Sequence, residues 1–467
     1  MQSKSDIKVT IVVPVHNSED YLPQCLESAL SQTLHDIEIL CIDSGNTDRC
    51  FQIIAPIKER DNRIVYIRDS NSSYGYKINT GIRMARGDYI AILETDDQMP
   101  PDMMEKLYSA GELHHVDMVS SDYFRFFEHN GKKIGKRCEI FPGCLVYGQS
   151  MNYTVKPYMA VVPDEGSRKF DAELSEFFSA PKKDKGFYPA YTIGIWAFLY
   201  RKTFLLENHI RLNESPGASY QDSSFLFLTR LLAKSVYHLD EPLYWYRTDN
   251  AGSSVKDDRK IFVVAGEWNF LKQELEKRNI KDAGVWNLFY YEKYISFFWN
   301  YYRLPEKARE RFLERYLEEL RGDIAAGAVS REMRDEGFYQ WTFLLLDDPD
   351  QFRKNADEVI QRETDMTLYE TLERLEGREV VIFGAGILSR EVIDVLRQNE
   401  NRILGICDNN RKLHGTTLAG VEINPVAETA KRFPDACYLI VSRWRSDEMK
   451  AHLLAEGISE RNIEIFK

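Results

Sequence analysis

The sequence predicts an α/β protein in three regions: a first α/β region over residues 1–254, a helical module over 255–375 and a small second α/β region over 376–467. Three observations carry this. Short apolar runs rich in β-branched residues alternate with amphipathic helical patterns from Lys8 to about Ser254, the mark of a mostly parallel sheet with helices packed on it. Strand signals then stop, and stretches such as LPEKARERFLERYLEELRGDI carry helical periodicity with dense i,i+4 charge pairs. From Glu376 the run REVVIFGAG restarts the strand–helix alternation.

The elements follow in order. Val9–Val15 (VTIVVPV) reads as a buried strand, and Tyr21 to Gln32 as a helix with Leu22, Leu26, Ala29 and Leu30 on one stripe. Ile37–Asp43 is a second strand, Ile64–Ile67 a third and Tyr89–Glu94 a fourth. In the middle module, aromatics crowd Phe289–Tyr302 so densely that nearly all faces of one helix are aromatic, which predicts a helix buried between domains. The last region opens with the strand VVIFG, a helix to about Gln398 and a second strand ending at Asp408.

Composition excludes several classes. The 467 residues carry a formal net charge of −12, which argues against nucleic acid as a partner, because phosphate backbones demand basic faces. Seven cysteines are scattered without a CxxC pair or His/Cys ligand spacing, which predicts a reduced, cytoplasmic protein. The start MQSKSDIKVT runs straight into a strand without a signal region, and no apolar run is long enough to span a bilayer. An acceptor in a membrane lipid would therefore be met peripherally, at the inner face.

The chemistry-bearing residues sit at strand ends. The first strand runs into Pro14-Val15-His16-Asn17, the second into Asp43-Ser44-Gly45-Asn46-Thr47-Asp48, and the fourth into Glu94-Thr95-Asp96-Asp97. Ligands of open α/β sheets bind outside the carboxyl ends of the strands, so the three clusters are expected to line one crevice. Adjacent acids after an apolar strand suit oxygen-ligated Mg²⁺ or Mn²⁺, or else simply open a polar turn before Pro100-Pro101.

Taken together, VVPVHNSEDYLPQCLESALSQT, IEILCIDSGNTD, NTGIRMARGDYIAILETDD and GASYQDSSFLF resemble the inverting glycosyltransferases of family 2, with the GT-A fold, over about the first 250 residues. The resemblance implies a nucleoside-diphosphate-sugar donor held by Pro14, Asn17, Asp43, Lys77, Asp96 and Arg247. It implies a divalent cation on the donor diphosphate, held by Glu94, Asp96 and Asp97, with family members differing in which of the adjacent acids binds the ion. It also implies a general base at Asp222 in the Gln221-Asp222 pair, a position that equally suits a helix cap. Two departures stand out: Glu94 where the first Asp of the acidic signature is usual, and Ser44 where a second Asp commonly reads the nucleobase.

The last region resembles a Rossmann half like those of polysaccharide-biosynthesis proteins. Gly384 and Gly386 are placed to admit a phosphate at a helix N-terminus, and Asp408 about twenty residues on is placed for a ribose. The expected function is a metal-dependent inverting glycosyltransferase acting on a glycan or lipid-linked hydroxyl acceptor in surface-polysaccharide assembly. The rival readings are a catalytically degenerate scaffold, and an enzyme whose main activity lies in the C-terminal domain.

Overall fold

The computed structural model describes residues 6–129, 131–138, 194–250, 261–330, 338–364, 368–442 and 445–466. The segment from Tyr147 to Tyr191, expected from sequence to include a loop over the acceptor, lies outside the described residues. The chain divides into two compact units. One comprises Met1–Phe124 with Arg137–Phe352, the other Arg125–Lys136 with Arg353–Lys467.

The first sheet, which belongs to the first unit apart from the Arg125–Lys136 hairpin, holds strands β1 (Val9–Val15), β2 (Ile37–Asp43), β3 (Ile64–Arg68) and β4 (Tyr89–Ile92), followed by β5 (Met118–His129), β6 (Lys132–Cys138), β7 (Phe198–Arg201) and β8 (Val236–Arg247). Their order is β3-β2-β1-β4-β7-β5-β6, with β8 pairing β5. The first four are parallel, and β7 joins antiparallel to both β4 and β5. This is the GT-A arrangement that the resemblance implies. Strands β1 and β2 are buried along their whole length, as covered parallel strands must be, which is why they read as unbroken apolar runs.

Strand lengths open the crevice. β1 pairs β2 through Val15↔Asp43 but pairs β4 only as far as Val12↔Ile92. The last ladder bond to the β4 side runs from Leu93 N to Val12 O, 3.0 Å. Pro14, two residues on, points its missing N–H to that same side, so the proline costs no pairing there. Beyond Leu93 the chain turns away and carries Glu94–Asp97 into the gap.

Helices of this unit pack as their periodicity dictates, with one correction. The helix Ala283–Arg303 buries a stripe of Phe289, Tyr290, Lys293, Tyr294, Phe297, Asn300 and Tyr301, not all its faces. Lys293 is tolerated on that stripe because its ammonium meets Glu319 at 2.8 Å and Asp323 at 2.6 Å. Trp196 and Tyr200 belong to the core: Trp196 stacks on Tyr244 with centroids 4.3 Å apart, and Tyr200 is fully buried. Among the described residues no helix is long and apolar enough to cross a membrane.

The second unit holds β9 (Val380–Phe383), β10 (Ile403–Cys407), β11 (Thr417–Leu418), β12 (Val421–Asn424), β13 (Cys437–Val441) and β14 (Ile463–Phe466). The order is β11-β12-β10-β9-β13-β14, parallel apart from the short β11–β12 pair. Alternation along β9 separates two cores. Val380 and Ile382 join the helix Ile387–Gln398, while Val381 and Phe383 join the helices Val426–Arg432 and Ser446–Ala455. The first of these cores also takes Phe127 and Ile134 from the β5–β6 hairpin. A cut placed before Glu376 would strip the cover from those two side chains.

Candidate active site

The crevice at the carboxyl ends of β1, β2 and β4 gathers most of the residues singled out from sequence. Asn17, at φ +45°, receives the β2 loop: its amide donates to Asn46 Oδ1 at 2.8 Å, and its own Oδ1 accepts from Thr47 N at 2.9 Å. Asp43 ends β2 with both carboxylate oxygens engaged, Oδ2 by a short bond from Tyr66 Oη and Oδ1 by Asn46 N at 3.3 Å.

Lys77 enters from the helix Tyr74–Met84, whose N-cap Ser73 accepts from Tyr76 N at 3.2 Å. The helix comes close because residue 75 is glycine: a Cβ there would stand 1.9 Å from Asn213 O. Lys77 is 2% exposed, and Nζ donates to Ser44 Oγ at 3.2 Å and Val15 O at 3.4 Å. Burial pushes its pKa down to about 8, against the attraction of Glu94 and Asp43. Ser44, where the family often has an acid, is thus the hydroxyl that receives this ammonium.

The three acids after β4 do not form one cage. Asp97 is 1% exposed and fully engaged: Oδ1 accepts from Arg247 N at 2.7 Å and Oδ2 from Tyr244 Oη at 2.8 Å. Burial, and then the neighbouring Asp96, hold its pKa well above the ordinary carboxylate value. Glu94 Oε1 accepts from Tyr74 Oη at 2.5 Å, and burial pushes Glu94 up to about 7. Asp96 keeps a half-buried carboxylate whose Oδ2 accepts from Asn250 Nδ2 at 2.7 Å. Among the described residues no group of three or more His, Cys, Asp or Glu side chains converges as a metal cage. What is present fits a cation held by Asp96 and otherwise by diphosphate and water, the habit of Mg²⁺ at phosphates. It does not fit a cation shared by Glu94, Asp96 and Asp97.

Arg247, at the end of β8, is built into the floor of this cluster. Nε donates to Asp96 O at 3.0 Å, Nη2 to Gln24 Oε1 at 2.7 Å, and the guanidinium lies over Tyr21 at 4.9 Å. Its positive charge backs the acids and holds the Asp96 main chain in place.

Asp222 comes from a later helix. The helix Gln221–Leu232 has Tyr220 as N-cap, at φ +63°, so Asp222 stands in the first turn and is not the cap. Burial raises its pKa, while the backbone N–H groups of Ser223 and Asp222 itself favour the charged form. Tyr74 links Glu94 to the turn before Asp222: its Oη donates to Glu94 Oε1 at 2.5 Å and its N to Gly217 O at 2.8 Å, and Lys77 lies on the same helix.

Sequence reasoning missed Tyr74, Tyr244 and Glu267. Tyr74 and Tyr244 are aromatics that orient acids, and nothing in their local sequence separates them from core.

In the second unit, Gly384 turns at φ +110° with its would-be Cβ 2.7 Å from Val441 O, a place only glycine fills. Gly386 caps the helix Ile387–Gln398. Asp408 Oδ2 accepts from Ala385 N at 2.7 Å and Oδ1 from Asn410 N at 2.6 Å. The turn and the acid are together, and one amide of the turn is already held by the acid.

Residues 10–159 match the family model described as glycosyl transferase family 2, and residues 376–464 the model described as C2185-like, N-terminal. The chain is 36% identical over 126 residues to "Glycosyltransferase GlyA" of Streptococcus pneumoniae serotype 4, covering 27% of this chain and 18% of that protein. It is 28% identical over 243 residues to "Uncharacterized glycosyltransferase EpsJ" of Bacillus subtilis, covering 51% and 60%. The chain thus spans less than two thirds of the length of these curated relatives. A solved structure of Staphylococcus aureus TarS, residues 1–349, overlays with a TM-score of 0.46 at 14% identity, covering 74% of this chain and 92% of that one. The first α/β region therefore carries a domain similar to glycosyl transferase family 2, which begins at β1 and spans the Asp43 and Glu94–Asp97 strand ends.

Proposed function

We propose that this chain is an inverting glycosyltransferase that moves a sugar from a nucleoside-diphosphate donor to a hydroxyl of a glycan or lipid-linked acceptor in surface-polysaccharide assembly. The observation that carries the reading is the helix Tyr74–Met84, which brings Lys77 to Ser44 after β2, Tyr74 Oη to Glu94 after β4 and Tyr74 N to Gly217 O in the turn before Asp222. Asn17 and Asp43 bound the base and ribose end. Lys77 supplies positive charge where the diphosphate lies. Asp96 would hold Mn²⁺ or Mg²⁺, which when bound offsets the negative charge of the departing diphosphate. Asp222 takes the proton of the attacking hydroxyl, its burial making it a stronger base than an ordinary aspartate. Attack from the face opposite the leaving group inverts the anomeric carbon. The cytoplasmic reading stands as part of this proposal.

Binding of UDP and GDP, measured by calorimetry, tests the donor side. With Lys77 at about 8, an anionic diphosphate favours its charged form, so affinity is expected to fall as pH rises through about 8. Binding near that pH should take up protons, visible as a dependence of the heat on buffer ionisation enthalpy. Lys77→Met should weaken binding by roughly tenfold or more at neutral pH, about 1.4 kcal/mol. Wild-type affinity in that variant would remove Lys77 from the donor site.

For the second unit we propose a separate Rossmann-like nucleotide site at the Gly384–Gly386 turn and Asp408. Its support is the strand order β12-β10-β9-β13-β14, which in chain order reads 3-2-1-4-5, with the glycine turn at the end of the central strand. Asp408→Ala in the full chain should abolish a nucleotide-binding event that Lys77→Met leaves intact. Two wild-type events, each lost in one variant, are expected; a single event lost with Lys77→Met leaves the second unit without a nucleotide.

A further inference from the structure

Glu267 sits in the middle of the helix Val263–Lys277, on the face it shares with Val264, Trp268, Leu271 and Leu275. A carboxyl on such a face is costly unless it is bonded. Only half of this one is. Oε1 accepts from Ser215 Oγ at 2.5 Å and from Asn213 Nδ2 at 2.9 Å. Oε2 is buried with no hydrogen-bond partner among the described residues.

The bonds lead to Gln221, the residue before Asp222. Ser215 Oγ accepts from Gln221 Nε2 at 3.0 Å, and that amide also reaches Gly217 O at 3.2 Å. Gln221 Oε1 in turn accepts from Ser219 N at 2.5 Å. One glutamine thus folds the stretch 215–219 around itself, and Glu267 holds the knot. The other side of the stretch is fastened by Asn79, which exchanges bonds of 2.9 Å with Leu212 N and O, and by Tyr74 N donating to Gly217 O at 2.8 Å. With Gly217 at φ +80° and Tyr220 at φ +63°, the turn has few alternative paths, and its next residue but one is Asp222.

We propose that Glu267 is a positioning residue for Asp222: its carboxyl ties the Asn213–Gln221 turn that leads into Asp222. The inference rests on the reading of Asp222 as the general base. Oε1 is the atom that does the tying, so an amide oxygen in its place should serve as well. Burial, with Asp222 adding to it, pushes Glu267 up to about 7 against the pull of its two hydrogen bonds.

The test uses the full chain, with nucleoside-diphosphate release from UDP-glucose, UDP-N-acetylglucosamine and GDP-mannose in Mn²⁺, water serving as the acceptor. Glu267→Gln keeps a carbonyl for Asn213 and Ser215 and mimics the neutral acid; its kcat should stay within about threefold of wild type at pH 7. Glu267→Ala should lose roughly tenfold or more in kcat while donor KM and UDP affinity change by less than about twofold. Ser215→Ala should shift the same way by a smaller factor, and it carries the test if Glu267→Ala does not fold. Wild-type kcat in Glu267→Ala or, failing that, in Ser215→Ala overturns the proposal. So does a Glu267→Gln protein with intact melting temperature and the kcat of the alanine variant, since the charge would then be what matters. Failure of the base reading is separate: it appears as wild-type turnover in Asp222→Asn, whatever the Glu267 variants do.

Discussion

Asp222→Asn is expected to bind UDP or GDP as wild type does and to lose sugar transfer, or donor hydrolysis, by at least about 10²-fold, the usual scale for a missing general base. The geometry separates this from a helix-end effect. A first-turn carboxylate that merely complements the helix dipole contributes about 0.3–1 kcal/mol to stability, and its loss would lower the melting temperature without touching kcat. Here the stability effect has the other sign. Burial raises the Asp222 pKa, so the folded chain binds more protons than the unfolded one from the ordinary carboxylate range upward, and stability falls as pH rises through that window. Asparagine carries no charge to bury, so at pH 8 the variant should melt no lower than wild type. Turnover retained together with a lowered melting temperature would make Asp222 a structural residue and place the base elsewhere.

How much of this was legible in the sequence depends on the kind of signal. β1, β2 and β4 were readable because covered parallel strands are apolar throughout, and the polar residues that interrupt them fall where the strands end. Asp43, Glu94 and Asp96 were found that way. The distinction among the acids was not readable: Asp96 and Asp97 are neighbours in sequence, and only the arrival of Tyr244 and Arg247 from β8 shows that Asp97 is used up. Glu267 was hidden for a different reason. In VVAGEWNFLKQELEK it is one acid among several on a charged helix, and its role arises from a turn some fifty residues earlier in the chain. The β5–β6 hairpin has a local signal, the Asn130-Gly131 pair that follows the aromatic run Tyr123–Phe127. That Phe127 and Ile134 enter the core of the second unit is a long-range fact with no local trace.

The second large effect separates Asp96 from Asp97, which the sequence treats alike. Asp96→Ala should keep its melting temperature, because its half-buried carboxylate is crowded by other acids and its loss relieves repulsion. It should lose most donor turnover, by roughly 10²-fold or more, together with any Mn²⁺-dependent thermal shift. Asp97→Ala should do the reverse in stability. It leaves the Arg247 N–H and the Tyr244 hydroxyl without their acceptor in a buried place, at about 1–3 kcal/mol for each stranded group. Loss of activity in that variant would follow from a loosened β8 end and is no measure of metal binding. Asp97→Asn is the discriminating change. It keeps an oxygen for Arg247 N, and Tyr244 can turn its hydroxyl to accept from the new amide. Because burial already disfavours the ionised form of Asp97, the neutral side chain costs little. The asparagine variant should fold and retain Mn²⁺-stimulated turnover, while Asp96→Asn should not. If Asp97→Asn instead loses the Mn²⁺ response at an unchanged melting temperature and Asp96→Asn keeps it, then Asp97 is the cation's carboxylate, and its bonds to Tyr244 and Arg247 must break when the ion binds.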